Sequence, residues 1–147
     1  MKFEGRADCA KFFGTEMAKA VRREFSNINF DCVCFVPMTL KNKLKRGINQ
    51  SELLARCIAN ELNIPLYQNA LVKLKQNRVQ HNLSRNERIM NVKGVFTASD
   101  DVKGKTVLLV DDIKTTGATL NECSRELLKA GAGQVFCVTA VINRYGG

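Results

Sequence analysis

Residues 107–119 read VLLVDDIKTTGAT, and no other stretch of this chain is as informative. The four apolar residues 107–110 are typical of a buried strand, and two adjacent carboxylates, Asp111 and Asp112, follow them directly. A short polar turn that contains Gly117 comes next, and a helical pattern follows it. A strand, an acidic pair and a glycine-containing turn before a helix indicate a site for a phosphorylated, hydroxyl-bearing ligand.

The two parts of this stretch suit different ends of one ligand. Backbone N–H groups at the helix start would surround a phosphate, and Gly117 would let the backbone approach it closely. The helix dipole contributes only about 0.3–1 kcal/mol, so direct hydrogen bonds must supply most of the affinity. Asp111 and Asp112 accept hydrogen bonds when ionised, which suits a ribose diol or a Mg²⁺-bound ligand. The predicted phosphate-binding residues are Thr115, Thr116, Gly117, Ala118 and Thr119.

Three segments resemble one enzyme family. VLLVDDIKTTGATL resembles the phosphoribosyl-pyrophosphate (PRPP) signature of type I phosphoribosyltransferases. Residues 36–55, VPMTLKNKLKRGINQSELLA, are similar to a turn and helix of the competence protein F (ComF/GntX) branch. Residues 80–96, QHNLSRNERIMNVKGVF, are similar to the mobile active-site loop of that branch. The resemblance extends from about Phe3 to Arg144.

The resemblance implies a type I phosphoribosyltransferase fold, which is an α/β fold with a mainly parallel sheet, helices on both faces and a mobile loop over the active site. It also implies Mg²⁺-dependent transfer of phosphoribosyl from PRPP to an acceptor, with release of pyrophosphate. Asp111 and Asp112 would then be the catalytic pair. They would contact Mg²⁺ indirectly, through ribose hydroxyls or water. The acceptor is not evident from the sequence.

The resemblance also implies roles for two loops. Pyrophosphate would bind to the turn after the first strand and to arginines of the mobile loop, residues 76–90. The residues expected to bind it are Met38, Thr39, Lys41 and Arg46 from the turn and Arg78 and Arg88 from the loop. The turn often contains a strained cis peptide in this superfamily, which here would lie near Met38–Thr39. Gln80 and Arg85 would act from the loop, with Asn91 at its hinge. Asn49 and Gln50 would approach the acceptor or only anchor the helix start.

Two non-catalytic alternatives remain open. The chain could be a PRPP or nucleotide sensor, because some members of the superfamily are regulators. It could also be an accessory protein of DNA uptake that binds single-stranded DNA or a competence protein. Residues 41–93 contain eleven Lys and Arg against three Glu, and such a basic surface attracts a polyphosphate or a nucleic-acid backbone. Tyr67 is the only aromatic residue there, which favours the polyphosphate.

Composition sets limits on the class of protein. A chain of 147 residues predicts one domain, 1–147, and 45% hydrophobic with 25% charged residues is typical of a soluble globule. Apolar runs reach neither the length of a membrane span nor the core of a signal peptide, so we expect a cytoplasmic protein without membrane insertion. Whether it forms a homodimer is left open by the sequence.

Six cysteines are scattered along the chain without a CxxC pair. The spacing of a zinc ribbon is therefore absent, although members of the resembled branch often carry an N-terminal zinc module. We expect reduced, packed thiols. Cys32 and Cys34 lie two apart in a predicted strand and should point to the same face.

Periodicity predicts strands alternating with helices. We expect a helix over 7–25 with Phe12, Phe13, Met17, Ala20 and Val21 inward, and a strand over 32–36. A second helix should begin at an Asn49 cap, bury Leu53, Leu54, Cys57, Ile58 and Leu62, and end before Pro65. Further strands are expected at 71–74, 92–97, 106–110 and 135–142, with a third helix at 119–130. This order predicts a mainly parallel sheet covered on both faces.

Overall fold

A computed structural model of the chain describes residues 2–39, 44–45, 47–74, 86–87, 94–114 and 117–142. The main part of this structure contains three α-helices and five strands, and three of the strands follow one another between the second and third helices. In chain order the elements are α1 (Lys2–Glu24), β1 (Cys32–Phe35), α2 (Gln50–Leu62), β2 (Leu71–Lys73), β3 (Phe96–Ala98), β4 (Thr106–Lys114), α3 (Ala118–Lys129) and β5 (Gln134–Ile142). A 3₁₀ helix, Asp100–Val102, precedes β4.

The strands form two separate sheets in the described residues. β1, β4 and β5 make a parallel sheet with β4 in the centre, and the register sets Cys32 opposite Val107 and Leu108 opposite Phe136. β2 and β3 form an antiparallel pair of their own. The prediction of a mainly parallel α/β sheet is therefore confirmed, with an antiparallel ribbon beside it.

The parallel sheet is covered on both faces, as its apolar strands require. Residues of alternate parity point to opposite faces of a strand. One face, which includes Val33 and Leu108, packs against α1 and α2. The other face, which includes Cys34 and Leu109, packs against α3 and the β2–β3 ribbon. Cys32 and Cys34 lie in the same cluster, as their spacing predicts.

The buried face of α1 differs from the predicted one. Met17 and Val21 are buried as expected, but Phe12 is 62% exposed and Phe13 is 42% exposed. Small residues instead form the contact with α2, where a Cβ added to Gly14 would lie 2.5 Å from the Cβ of Cys57. Successive residues of a helix are rotated by about 100° around its axis. When the buried face is centred on the small residues, both phenylalanines therefore point away from the core.

The second helix begins and ends where its sequence signals predict. Asn49 is its N-cap, and Asn63 ends it with a left-handed backbone, φ 56°. Leu54 and Ile58 are buried as predicted. The predicted inward residues Leu53, Cys57 and Leu62 are only partly buried.

All six cysteines are free thiols in the structure. Cys32, Cys34 and Cys123 are buried in the core, and burial raises the pKa of the Cys32 thiol to about 11. Cys9 and Cys137 are exposed, so the expectation of a packed thiol is wrong for these two.

None of the helices in the described part of the chain combines the length and apolarity needed to cross a membrane.

Candidate functional site

The candidate site lies where β1 ends and β4 continues. Pairing of β1 with β4 ends at Phe35 and Val110, whereas β4 stays paired with β5 as far as Lys114. From Asp111 onward, no described strand occupies the side of β4 that faced β1. Crevices at the carboxyl ends of parallel strands are where α/β proteins bind ligands.

The acidic pair lies inside the strand rather than after it. The sequence predicts a strand over 106–110, but β4 includes both Asp111 and Asp112. The reason is the length of β5, whose nine residues supply backbone partners beyond the apolar run. Strand alternation then makes the carboxylates unequal, because Asp111 is 8% exposed and Asp112 is half-buried.

A buried serine from α2 contacts both acidic residues. The Ser51 hydroxyl donates to Asp111 Oδ1 at 2.8 Å and accepts from the Asp112 amide at 3.2 Å. The same amide also donates to Asp111 Oδ1 at 2.9 Å, and the Ile113 amide donates to Asp112 Oδ1 at 3.0 Å. These contacts fix the acidic pair against the start of α2.

Burial changes the protonation of Asp111. Removal from water, reinforced by the neighbouring Asp112, raises the pKa of the Asp111 carboxyl to about 7, and the Ser51 hydrogen bond opposes that rise. Near neutral pH, Asp111 therefore exchanges between the neutral and the ionised form. A cation or a hydroxyl donor that enters the site favours the ionised form.

A cleft of about 680 Å³ opens in front of the acidic pair. Its walls are the turn after β1, the start of α2 and the acidic end of β4. The lining residues are Val36, Pro37, Met38, Lys45, Ile48, Asn49, Gln50, Ser51, Asp111 and Asp112. The structure thus brings four predicted site residues, Met38, Asn49, Gln50 and Asp112, to one space with Asp111. Thr39 is buried.

Asn49 joins the start of α2 to the end of β1. Its side-chain oxygen accepts from the Ser51 amide at 3.1 Å, as the predicted N-cap requires. Its side-chain Nδ2 donates to Val36 O at 3.2 Å. Asn49 therefore anchors the helix start and also lines the cleft, while its approach to an acceptor stays a prediction.

The predicted phosphate turn opens α3. Gly117 has φ 81° and ψ 0°, a left-handed conformation that favours glycine, and Ala118 begins the helix. The Asn121 amide donates to Gly117 O at 2.8 Å. Gly117, Ala118 and Thr119 are not among the described residues that line the cleft, and their contact with a phosphate stays a prediction.

The expected cis peptide is absent from Met38–Thr39. No cis bond occurs between described residues, and that expectation is wrong for this bond. A trans bond is the default because a non-proline cis bond costs about 3–4 kcal/mol and needs strong contacts to persist.

Several predicted site residues lie outside the described residues. They are Lys41, Arg46, Arg78, Gln80, Arg85, Arg88, Asn91, Thr115 and Thr116. Most of the predicted mobile loop is also outside. Their roles stay predictions.

Comparison with known families assigns the chain. A family model described as phosphoribosyl transferase domain matches residues 49–146. This range includes the acidic pair and those cleft residues that follow Ile48 in the sequence. The chain belongs to the phosphoribosyltransferase domain family. The resemblance seen in the PRPP signature is thereby confirmed.

The most informative relatives of this phosphoribosyltransferase domain are bacterial. The DNA utilization protein YhgH of Escherichia coli (strain K12) is 34% identical over 110 residues, which are 74% of this chain and 48% of that protein. Competence protein F of Haemophilus influenzae is 35% identical over 103 residues, 68% of this chain and 45% of that protein. The chain thus spans about half the length of the curated relatives it matches.

A crystal structure confirms the fold. The purine phosphoribosyltransferase from Pyrococcus horikoshii Ot3 aligns with a TM-score of 0.56 and 20% identity. The alignment covers 95% of this chain and 74% of that chain. At this identity the likeness concerns the fold alone.

The sequence analysis missed two residues of the candidate site. Ser51 resembles an ordinary polar residue in a first helical turn, and no local signal reveals a partner sixty residues away. Lys45 belongs to the basic run KNKLKR, from which we selected Lys41 and Arg46. Any cation of that run fits the pattern, because a basic turn has no periodicity that distinguishes its members.

The donor set fits a magnesium ion that arrives with a polyphosphate. No group of three or more His, Cys, Asp or Glu side chains in the described residues could hold a metal by itself. Two adjacent carboxylates are present, and the hydrogen bonds described for them use their Oδ1 atoms. Mg²⁺ prefers oxygen ligands and is commonly held by one or two carboxylates together with substrate phosphates.

Proposed function

We propose that this domain is a Mg²⁺-dependent phosphoribosyltransferase that binds PRPP and transfers phosphoribosyl to an acceptor, with release of pyrophosphate. The observation that carries the proposal is the acidic pair that lines the cleft at the open edge of β4, with Asp111 buried, Asp112 half-buried and the glycine turn of α3 a few residues further along the chain. In this arrangement the carboxylates can accept hydrogen bonds from hydroxyl groups, and the backbone amides of the glycine turn can donate hydrogen bonds to an anion on one side of them. PRPP has the complementary order of groups.

Each subsite has a proposed ligand group. The 5′-phosphate binds at Thr115 to Thr119, where Gly117 lets the backbone approach the anion closely. Asp111 and Asp112 accept hydrogen bonds from the ribose hydroxyls. Pyrophosphate occupies the cleft beside the turn after β1, where Met38 and Lys45 are lining residues. Asp111 and Asp112 would hold Mg²⁺ through water or the ribose, and the ion would supply positive charge at the leaving group.

The transfer step uses the acidic pair electrostatically. The bond between the anomeric carbon and pyrophosphate oxygen breaks, and pyrophosphate leaves with the electron pair. A bond from the acceptor nucleophile forms at the same carbon, and the acceptor proton passes to solvent. The sugar becomes cationic in the transition state, and ionised Asp111 and Asp112 stabilise that charge.

Replacing the acidic pair tests this proposal. We expect Asp111→Asn with Asp112→Asn to lower PRPP affinity in the presence of Mg²⁺ by about 100-fold or more, because two charge-assisted hydrogen bonds are lost. Turnover should be abolished while the fold is retained. Isothermal titration calorimetry measures the affinity, and circular dichroism checks the fold.

The chain offers a matched control. Asp100 and Asp101 are also adjacent, but they are exposed in the 3₁₀ helix before β4. Asp100→Asn with Asp101→Asn removes the same charge and should leave PRPP affinity unchanged. Equal affinities in the two double variants, or no heat when PRPP is titrated into the wild-type protein, would refute the proposed site.

A sensor would bind PRPP without turnover. Incubation with PRPP, Mg²⁺ and a panel of bases and amines distinguishes the two cases through the pyrophosphate that is released. Release with one acceptor class supports the transferase. Tight binding without release with any member of the panel supports the sensor.

The names of the relatives favour a second candidate function, a role in DNA uptake. One relative is a DNA utilization protein and the other is a competence protein. The basic stretch 41–93 would contact the nucleic-acid backbone. A salt-titrated binding assay with single-stranded DNA tests this function, since phosphate contacts predict an affinity that falls steeply with salt. No measurable binding at low salt eliminates it.

A further inference from the structure

Ser51 is a buried polar residue for which the sequence predicted no role. It is 3% exposed and lies in the first turn of α2. Its hydroxyl reaches across to β4, where it donates to Asp111 Oδ1 at 2.8 Å, lies 3.4 Å from Asp112 Oδ1 as a weaker acceptor, and accepts from the Asp112 amide. A buried hydroxyl with both a donor and an acceptor contact has a defined orientation.

The hydrogen bond of Ser51 limits how Asp111 can turn. Asp111 Oδ1 accepts two hydrogen bonds, one from the Ser51 hydroxyl and one from the Asp112 amide. With Oδ1 held by two donors, rotation of the carboxyl group would break both contacts. Two donors on one oxygen therefore favour a single rotamer of the carboxyl group.

The serine is itself held from the other side. Its amide donates to Asn49 Oδ1, and Asn49 Nδ2 donates to Val36 O. A continuous chain of short contacts therefore runs from the end of β1, through the start of α2, to the acidic pair of β4. The pyrophosphate side of the cleft and the ribose side are joined through this chain.

We propose that Ser51 is a positioning residue, which holds the Asp111 and Asp112 carboxylates in the orientation that accepts the ribose hydroxyls of the ligand. This inference rests on the proposed function. It assigns Ser51 its main effect on ribose binding, because its hydroxyl contacts the acidic pair that accepts the ribose hydroxyls.

Three ligands separate positioning from a general structural role. The affinities of Ser51→Ala and the wild-type protein are measured by calorimetry, for PRPP and ribose 5-phosphate with Mg²⁺ present and for inorganic pyrophosphate without it, so that no ion links the pyrophosphate to the acidic pair. We expect the variant to lose about 10- to 100-fold in affinity for the two ribose ligands. Its affinity for pyrophosphate should stay within a factor of about two of the wild-type affinity. A change of that size is smaller than the loss of one hydrogen bond would cause.

The chain supplies a matched serine and a second variant. Ser99 also accepts a backbone hydrogen bond, from the Asp101 amide at 3.2 Å. It lies before β4, whereas Ser51 contacts the acidic pair within β4. Ser99→Ala should retain all three affinities. If Ser51→Ala does not fold, Ser51→Cys carries the same comparison, because a thiol is similar in size and a weak donor.

Each outcome has one reading. A wild-type protein that binds PRPP and a Ser51 variant with unchanged ribose affinity overturn the positioning role alone. Equal losses for pyrophosphate and the ribose ligands also overturn it, because they indicate a structural role. A wild-type protein that does not bind PRPP refutes the proposed function itself.

Discussion

At the scale of the residue, Asp111 shows how a fold changes the chemistry of a side chain. The same carboxyl in an unfolded chain would ionise near pH 3.8, whereas burial raises its pKa to about 7 in the structure. The acidic motif is visible in the sequence, but the difference between its two members is not. Alternation along β4 buries the first and leaves the second half-buried.

This shift predicts how stability depends on pH. Between about pH 4 and pH 7 the native protein keeps a proton that the unfolded chain releases. The contribution of Asp111 to the free energy of unfolding is therefore fully present below about pH 4 and is lost as the pH rises through about 7. Urea denaturation in metal-free buffer, compared with Asp111→Asn, measures this dependence.

The asparagine variant is the reference because it cannot titrate. The wild-type protein should become less stable relative to Asp111→Asn as the pH increases across that window. Parallel profiles of the two proteins would contradict the raised pKa.

At the scale of the element, the contact between α1 and α2 depends on a missing side chain. Gly14 in α1 faces Cys57 in α2, and an added Cβ would lie 2.5 Å from the Cys57 Cβ and 2.6 Å from its sulfur. Thr15 also lies beside the same thiol, with Oγ1 and Sγ 3.9 Å apart. The helices therefore approach closely because neither presents a bulky residue there.

We expect Gly14→Ala to destabilise the protein. Alanine raises helix propensity by about 1 kcal/mol, but overpacking costs about 1–3 kcal/mol and should exceed that gain. Chemical denaturation measures the net change. A double-mutant cycle with Cys57→Gly gives the coupling, because the cost of the added methyl group should fall when the opposing side chain is removed. A Gly14→Ala variant that is more stable than the wild-type protein would show that propensity, not packing, governs this position.

Local signals account for most of the elements. Continuous apolar runs predicted β1 and β4, and the Asn49 cap predicted the start of α2. Phe12 and Phe13 were placed in the core because they are apolar, although their helix face is outside it. Hydrophobicity marks residues that benefit from burial, but the partner helix decides which face is buried.

At the scale of the whole molecule, the layers determine which thiols solvent can reach. Three cysteines are buried in the core between the parallel sheet, α3 and the β2–β3 ribbon, and the pKa values of the Cys34 and Cys123 thiols are raised well above their ordinary value, chiefly by burial. Cys9 and Cys137 are exposed. The thiolate is the reactive form. A buried cysteine is therefore protected twice, because reagents cannot reach it and because its raised pKa keeps it protonated.

This layering predicts the pattern of alkylation. With iodoacetamide at neutral pH, Cys9 and Cys137 should be labelled first, the partly buried Cys57 next, and the three core cysteines last. Mass spectrometry of peptides after short labelling measures the order. The control is the protein in denaturant, where all six should react at similar rates, and early labelling of Cys34 in the native protein would contradict the layered core.

The sequence by itself determined the apolar run of β4 and the two carboxylates after it, the glycine that opens α3 and the cap of α2, because each depends on neighbours within a few residues, and three such segments together indicated the family. Only the tertiary structure decided that β1 ends before β4, that Ser51 joins the acidic pair, and that Asp111 and Asp112 differ in burial. These features depend on contacts between residues far apart in the chain, which no local pattern encodes. The site therefore follows from where elements of unequal length meet.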